Sequence, residues 1–243
     1  MKALRDLLYQ IPEEIVAKRV SVGTFWTAVE GLRIGLASTM AEGHPHVDSP
    51  VREAGKLEGK PLRELAQLLF EGSLLEASIG LAALNASLPL DERKLIEGNA
   101  FDILLAKAEG KRIAIVGHFP FVEELKKTAK ELWVLELKPR EGDVDAKYVS
   151  QILPQAEVIG ITSTTLINRT FEEILRLCPP KSFKMLIGPS TPLDPFLFEL
   201  GVDALSGAVV IDKEKVYKYI LQGATFKQIH KSGAVKLYVM LKC

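Results

Sequence analysis

Four short stretches carry the side chains best suited to chemistry. Gly117-His118-Phe119-Pro120 offers an imidazole, the side chain that exchanges protons near neutrality and ligates borderline metals. Glu136 lies where it could orient His118 or share its ligand. Thr162-Ser163-Thr164-Thr165-Leu166-Ile167-Asn168 places four hydroxyls and an amide in seven residues, and Gly188-Pro189-Ser190-Thr191-Pro192 presents two more hydroxyls on a stiffened turn. Glycines 117 and 188 would let a ligand approach the backbone closely. His44-Pro45-His46-Val47-Asp48 adds two imidazoles and a carboxylate within five residues, a set suited to zinc or nickel. Each stretch also has a purely structural reading: Asn168 as an Asx turn or the cap of a helix starting near Thr170, Ser190 and Thr191 as turn chemistry, His44 and His46 as an ordinary loop.

Several reaction classes lose support from the same residues. Gly117 is followed by His118 and Phe119 where a dinucleotide fingerprint would place further glycines. No glycine-rich turn leads into Lys-Ser or Lys-Thr, so the phosphate loop of nucleotide hydrolases is missing. A Gly-x-Ser-x-Gly nucleophile elbow is also absent. Cys178 and Cys243 make neither a disulfide framework nor a four-thiolate zinc site.

These stretches need elements to hold them. From residue 111 short apolar runs at 112–116, 132–137, 158–162, 184–187 and 204–211 alternate with helical stretches at 121–130, 146–153, 170–177, 195–200 and 213–221. That alternation predicts a parallel sheet buried on both faces, with 235–241 as a last, antiparallel strand. His118, Glu136, Thr162–165 and Ser190 then follow strand ends, where open parallel sheets bind ligands. Before residue 110 the pattern predicts a short helix over 1–10 and strands over 15–22 and 32–38, joined through Gly23-Thr24-Phe25-Trp26-Thr27-Ala28. A loop over 41–60 and helices over 62–70, 74–87 and 95–108 complete an α+β unit, divided from an α/β unit as 1–109 and 110–243. The loop, carrying His44 and His46, is long enough to close over a site in the second unit.

The chain has 243 residues, formal charge +0, 47% hydrophobic and 26% charged residues, a profile of folded rather than disordered proteins. The balance argues against a nucleic-acid or anionic-membrane footprint. No leader or membrane-spanning run is recognisable, so a cytoplasmic protein is expected, and the scarcity of Gln and Asn fits a thermophile. The first half is net acidic and the second net basic, which favours docking of the two or an anionic ligand on the second.

Taken in order, Gly23-Thr24-Phe25-Trp26-Thr27-Ala28, Ile34-Gly35-Leu36-Ala37, Gly117-His118-Phe119-Pro120, Thr164-Thr165-Leu166-Ile167-Asn168 and Gly188-Pro189-Ser190-Thr191-Pro192 resemble the heavy-metal-chelation family across nearly the whole chain. The resemblance implies an α/β protein: a small α+β domain like the enolase N-terminal domain, then a Rossmann-like, mostly parallel-sheet domain, with a site where the two meet. It also implies a divalent transition metal, or a metal–chelator complex, as what is bound. The expectation is therefore a small-ligand binding protein or enzyme in which Thr164, Thr165, Asn168 and Ser190 position a polar or anionic ligand and His118 takes a proton or touches metal. A nonclassical nucleotide-dependent enzyme using Glu136 for ribose, and a noncatalytic scaffold or subunit of a larger assembly, are the alternatives; a homo-oligomer is compatible with each reading.

Overall fold

The computed structural model describes residues 3–41 and 50–242. A 3-10 helix over Ala3–Gln10 comes first, burying Leu4, Leu7 and Leu8 along one stripe. The Ala3 and Leu4 amides donate to Glu172 Oε1 at 2.9 and 3.2 Å, tying this end of the chain to the second half. Three strands follow, β1 (Arg19–Val22), β2 (Trp26–Glu30) and β3 (Ile34–Ser38), as an antiparallel sheet in that order. Residues 23–28, expected to be a joint, instead turn tightly and enter β2, whose Trp26, Thr27, Ala28 and Val29 are all buried. A strand covered on both faces shows no alternation, which hides it from a period-2 reading.

Helix α1 (Leu62–Gln67) leads into α2 (Leu74–Ser87). Ser73 caps α2, accepting from the Glu76 amide while the Glu76 carboxylate accepts from the Ser73 amide. Every α2 residue from Glu76 to Ser87 is buried, so α2 is the central helix of the molecule rather than an amphipathic cover. It lies so close to β3 that a Cβ on Gly35 would sit 2.0 Å from the Ala82 carbonyl oxygen.

The helix expected over 95–108 is divided. Ile96–Glu97 is a short strand, β4, and α3 (Ala100–Ala108) begins after Asn99, whose side chain caps it. Beyond come β5 (Arg112–Val116), α4 (Val122–Thr128), β6 (Glu131–Glu136), β7 (Val144–Asp145), α5 (Val149–Ile152) and β8 (Val158–Thr162). The chain continues through α6 (Thr164–Ile167), α7 (Phe171–Leu177), β9 (Phe183–Ile187), α8 (Phe196–Glu199), β10 (Ala204–Val210), α9 (Lys213–Leu221), α10 (Phe226–Lys231) and β11 (Val235–Leu241).

Eight of these strands form one sheet in the order β4-β11-β10-β9-β8-β5-β6-β7. The pairs from β10 to β7 are parallel; β11 is antiparallel to β10, as expected, but β4 lies outside it, so β11 is not the edge. From β5 the chain builds outward to β6 and β7, then returns to the other side of β5 to lay down β8, β9 and β10. The order therefore reverses between β5 and β8, and the helices that diverge there leave a crevice at the carboxyl ends of those strands. One buried apolar cluster joins the two halves, running from Leu4 and α2 through Ile159, Leu166 and Leu205. Among the described residues, no helix is long and apolar enough to cross a membrane.

Arg169 fixes the walls of that crevice. It stands at φ +65°, a left-handed conformation that closes α6: the Thr170 amide returns to the Thr165 carbonyl at 3.0 Å. Its guanidinium donates to the carbonyls of Leu69 and Gly72 at 3.0 and 2.9 Å, so the turn between α6 and α7 is held by the chain between α1 and α2.

Candidate functional site

A pocket of about 390 Å³, with apolar walls and polar groups converging on it, opens at the β5/β8 reversal. Val116, Leu135, Leu137, Val149 and Ile174 supply apolar wall. The polar lining is His118, Glu136, Thr162, Thr164, Thr165, Asn168, Thr170 and Glu173. Strand-end logic thus brings Gly117, His118, Glu136, Thr162, Thr164, Thr165 and Asn168 to one place. Leu137 stays 69% exposed at the rim, an apolar side chain that a bound molecule would cover.

Gly117 makes the turn possible. It stands at φ +101°, and a Cβ there would lie 2.9 Å from Thr162 Cβ, so β5 ends against β8 with no side chain between them. The turn delivers His118 to the crevice, its imidazole about one-third exposed and its Nδ1 3.3 Å from Asp143 Oδ1. The Asp143 side chain is nearly inaccessible, at 4% exposure, and its other oxygen accepts from the Arg140 amide at 3.0 Å. A carboxylate held at Nδ1 favours the proton on that nitrogen and leaves the lone pair on Nε2. Glu136 does not orient the ring as expected from sequence; its Oε2 accepts from the Leu137 amide at 3.2 Å, and Asp143 holds the position next to His118 instead.

The hydroxyls divide into occupied and available. Thr165 Oγ1 donates to the Thr162 carbonyl at 2.7 Å and is spent on the turn. Asn168 Oδ1 accepts from the Thr170 amide and hydroxyl at 3.2 and 2.7 Å, an Asx turn ahead of α7 rather than the cap of that helix, whose N-cap residue is Thr170, so only its NH₂ group is left to meet a ligand. Thr162 and Thr164 share a 3.0 Å hydroxyl–hydroxyl bond whose oxygens retain accepting capacity.

Four expected site residues lie elsewhere. Ser163 is buried against β9, its amide donating to the Ile187 carbonyl at 2.7 Å, and Gly188 packs on the Ser163 hydroxyl. Ser190 is fully buried where the halves meet, its Oγ accepting from the Ser38 amide at 2.8 Å and its carbonyl from Asn85 Nδ2 at 2.9 Å. Thr191 is 3% exposed beside it. Among the described residues, His118 and Asn168 line this pocket with others between 116 and 174, while Ser190, expected to share one chamber with them between the two halves, lies apart, because α2 with β3 seals the loop after β9. His44 and His46 lie outside the described residues.

Thr170 and Glu173 in the lining, and Asp143 behind His118, belong to this candidate site although none of them has a functional role on sequence grounds alone. Gly142, which stands at φ +88°, marks a turn in the 138–143 loop, but the pairing of β7 with β6 that brings Asp143 to His118 is set only by the fold. Cys178 contributes nothing here: burial pushes its thiol up to about 12, and its Sγ donates to the Ile174 carbonyl.

Asp143→Asn is expected to lose the preference for the Nδ1-protonated ring, because a carboxamide no longer holds that proton electrostatically. Nitrogen-15 shifts of the imidazole report this without any ligand, and an unchanged tautomer in the variant would remove Asp143 from the role.

Two family models, both described as "Putative heavy-metal chelation", match residues 4–88 and 99–239. An uncharacterized protein of Methanocaldococcus jannaschii is 30% identical over 188 residues, 74% of this chain and 72% of that protein. A protein with unknown function from the DUF364 family of Desulfitobacterium hafniense has a similar crystal structure, with a TM-score of 0.85 at 28% identity, covering 100% of this chain and 99% of that one. Another from the same family, of Pyrococcus horikoshii, gives 0.80 at 23% identity over 99% and 98% of the two chains and shows the shared fold.

Proposed function

The chain belongs to the heavy-metal-chelation family that those two models describe, and from that premise we propose that the β5/β8 pocket binds a metal ion already held by a small organic chelator. His118 adds one nitrogen donor to the chelated ion, and the apolar walls take the chelator. The observation that carries this reading is the pairing of His118 with the nearly buried Asp143 at the mouth of an apolar pocket. A carboxylate behind a ligating imidazole is the usual support for a metal-binding histidine.

The donor set argues for a chelate over a bare ion. Among the described residues, no group of three or more His, Cys, Asp or Glu side chains could hold a metal ion. One imidazole in a pocket of about 390 Å³ leaves room for a molecule that brings the remaining donors itself.

Glu136 supports a second reading, a nucleoside. It lines the pocket at the end of β6, the place where an acidic residue accepts ribose hydroxyls in dinucleotide-binding sheets. Calorimetry separates the two. The 1:1 complex of Ni(II) with 2,2′-bipyridine should bind the chain, with Ni(II) alone much weaker; binding of adenosine with no response to the nickel complex would favour the nucleoside.

A further inference from the structure

The charge lining the pocket differs from the charge of the half that contains it. The second half is net basic, yet among the described residues no lysine or arginine lines the pocket. Its ionisable lining is His118, Glu136 and Glu173, with Asp143 directly behind His118. Among the described residues, neither Glu136 nor Glu173 has a salt-bridge partner within 4.0 Å, and both carboxylates line the pocket. Glu173 is presented from α7, whose position is fixed through the Arg169 turn, and Glu136 from the end of β6.

Resting on the chelate reading above, we propose that the pocket selects its ligand by charge, accepting cationic chelates and rejecting anionic ones, with Glu136 and Glu173 as the specificity-determining residues. Low-dielectric walls strengthen this field at the crevice, since Val116, Leu135, Leu137, Val149 and Ile174 stand where water would otherwise screen it. Anionic chelates and phosphate-bearing molecules meet two carboxylates and no compensating cation from the lining. This proposal runs opposite to the expectation of an anionic ligand, which was drawn from the overall charge of the second half rather than from the pocket lining.

Two nickel probes test this, each leaving coordination positions open to an imidazole: the cationic 1:1 complex with 2,2′-bipyridine and the anionic complex with nitrilotriacetate. At low ionic strength the cation should bind at least roughly tenfold more tightly, and the preference should shrink as salt is added. In the double variant Glu136→Gln, Glu173→Gln, which keeps side-chain size, the preference should fall to within about threefold through loss of affinity for the cation. A preference that survives in the double variant would belong to bipyridine packing and would overturn the charge assignment. Equal binding of both probes, lost in both when His118 is replaced, would overturn charge selection while leaving the pocket reading intact. Binding of neither probe would overturn the pocket reading itself, and this inference with it.

Discussion

Replacing His118 with Ala is expected to weaken binding of the nickel–bipyridine complex by roughly 100-fold while leaving the thermal midpoint within a degree or two of the parent. The size follows from what is removed. Loss of a group that merely supports a metal ligand costs about 10- to 100-fold, and loss of the ligand itself belongs at or beyond the upper end of that range. The fold should not notice, because His118 is partly exposed on a turn whose geometry is set by Gly117 and Thr162. Substitutions of that kind usually change stability by no more than about 0.5 kcal/mol. Titration calorimetry with the complex, alongside a thermal melt of each protein, reads both quantities. Parent-like affinity in a folded variant would take His118 out of the site.

The largest loss of stability is expected from Gly35→Ala. The new methyl would lie 2.0 Å from the Ala82 carbonyl oxygen, 2.3 Å from the Ala86 nitrogen and 2.8 Å from the Asn85 carbonyl carbon. All three are backbone atoms of α2, so no side chain can rotate out of the way, and β3 must part from the helix. Parting them stretches the Asn85 Nδ2 hydrogen bonds to the Leu36 and Ser190 carbonyls, both 2.9 Å, which join the small sheet, the central helix and the loop after β9. Overpacking costs about 1–3 kcal/mol where neighbours yield. Here they are helix backbone, and a loss of about 3 kcal/mol or more is expected from urea denaturation. A loss under about 1 kcal/mol would show that the approach of β3 to α2 is looser than the structure has it.

The elements most legible in the sequence are those whose signals are local. Leu74–Ser87, with its capping box at Ser73, and the apolar strands Arg112–Val116 and Val158–Thr162 fall where their residues place them. Trp26–Glu30 was hidden because both its faces are covered, and Ile96–Glu97 because its strand identity comes from pairing with β11, far along the chain. The site divides along the same line. The strand-end rule brings His118, Glu136, Thr162, Thr164, Thr165 and Asn168 to one crevice, where the structure also has them, but not Ser163. It failed for Ser190 and Thr191 because an end that α2 and β3 cover is no longer open to a ligand, and coverage is a tertiary fact. Asp143 escaped notice because nothing in its immediate neighbours marks it as the partner of a histidine 25 positions earlier; that pairing exists only once β7 lies beside β6.

Anomalous diffraction at the nickel edge, from crystals soaked with the bipyridine complex, addresses the location of binding directly. The expected result is a peak within bonding distance of His118 Nε2, with bipyridine density against Val116, Leu135 and Ile174. A nickel peak at His44 and His46 with the β5/β8 crevice empty would contradict it.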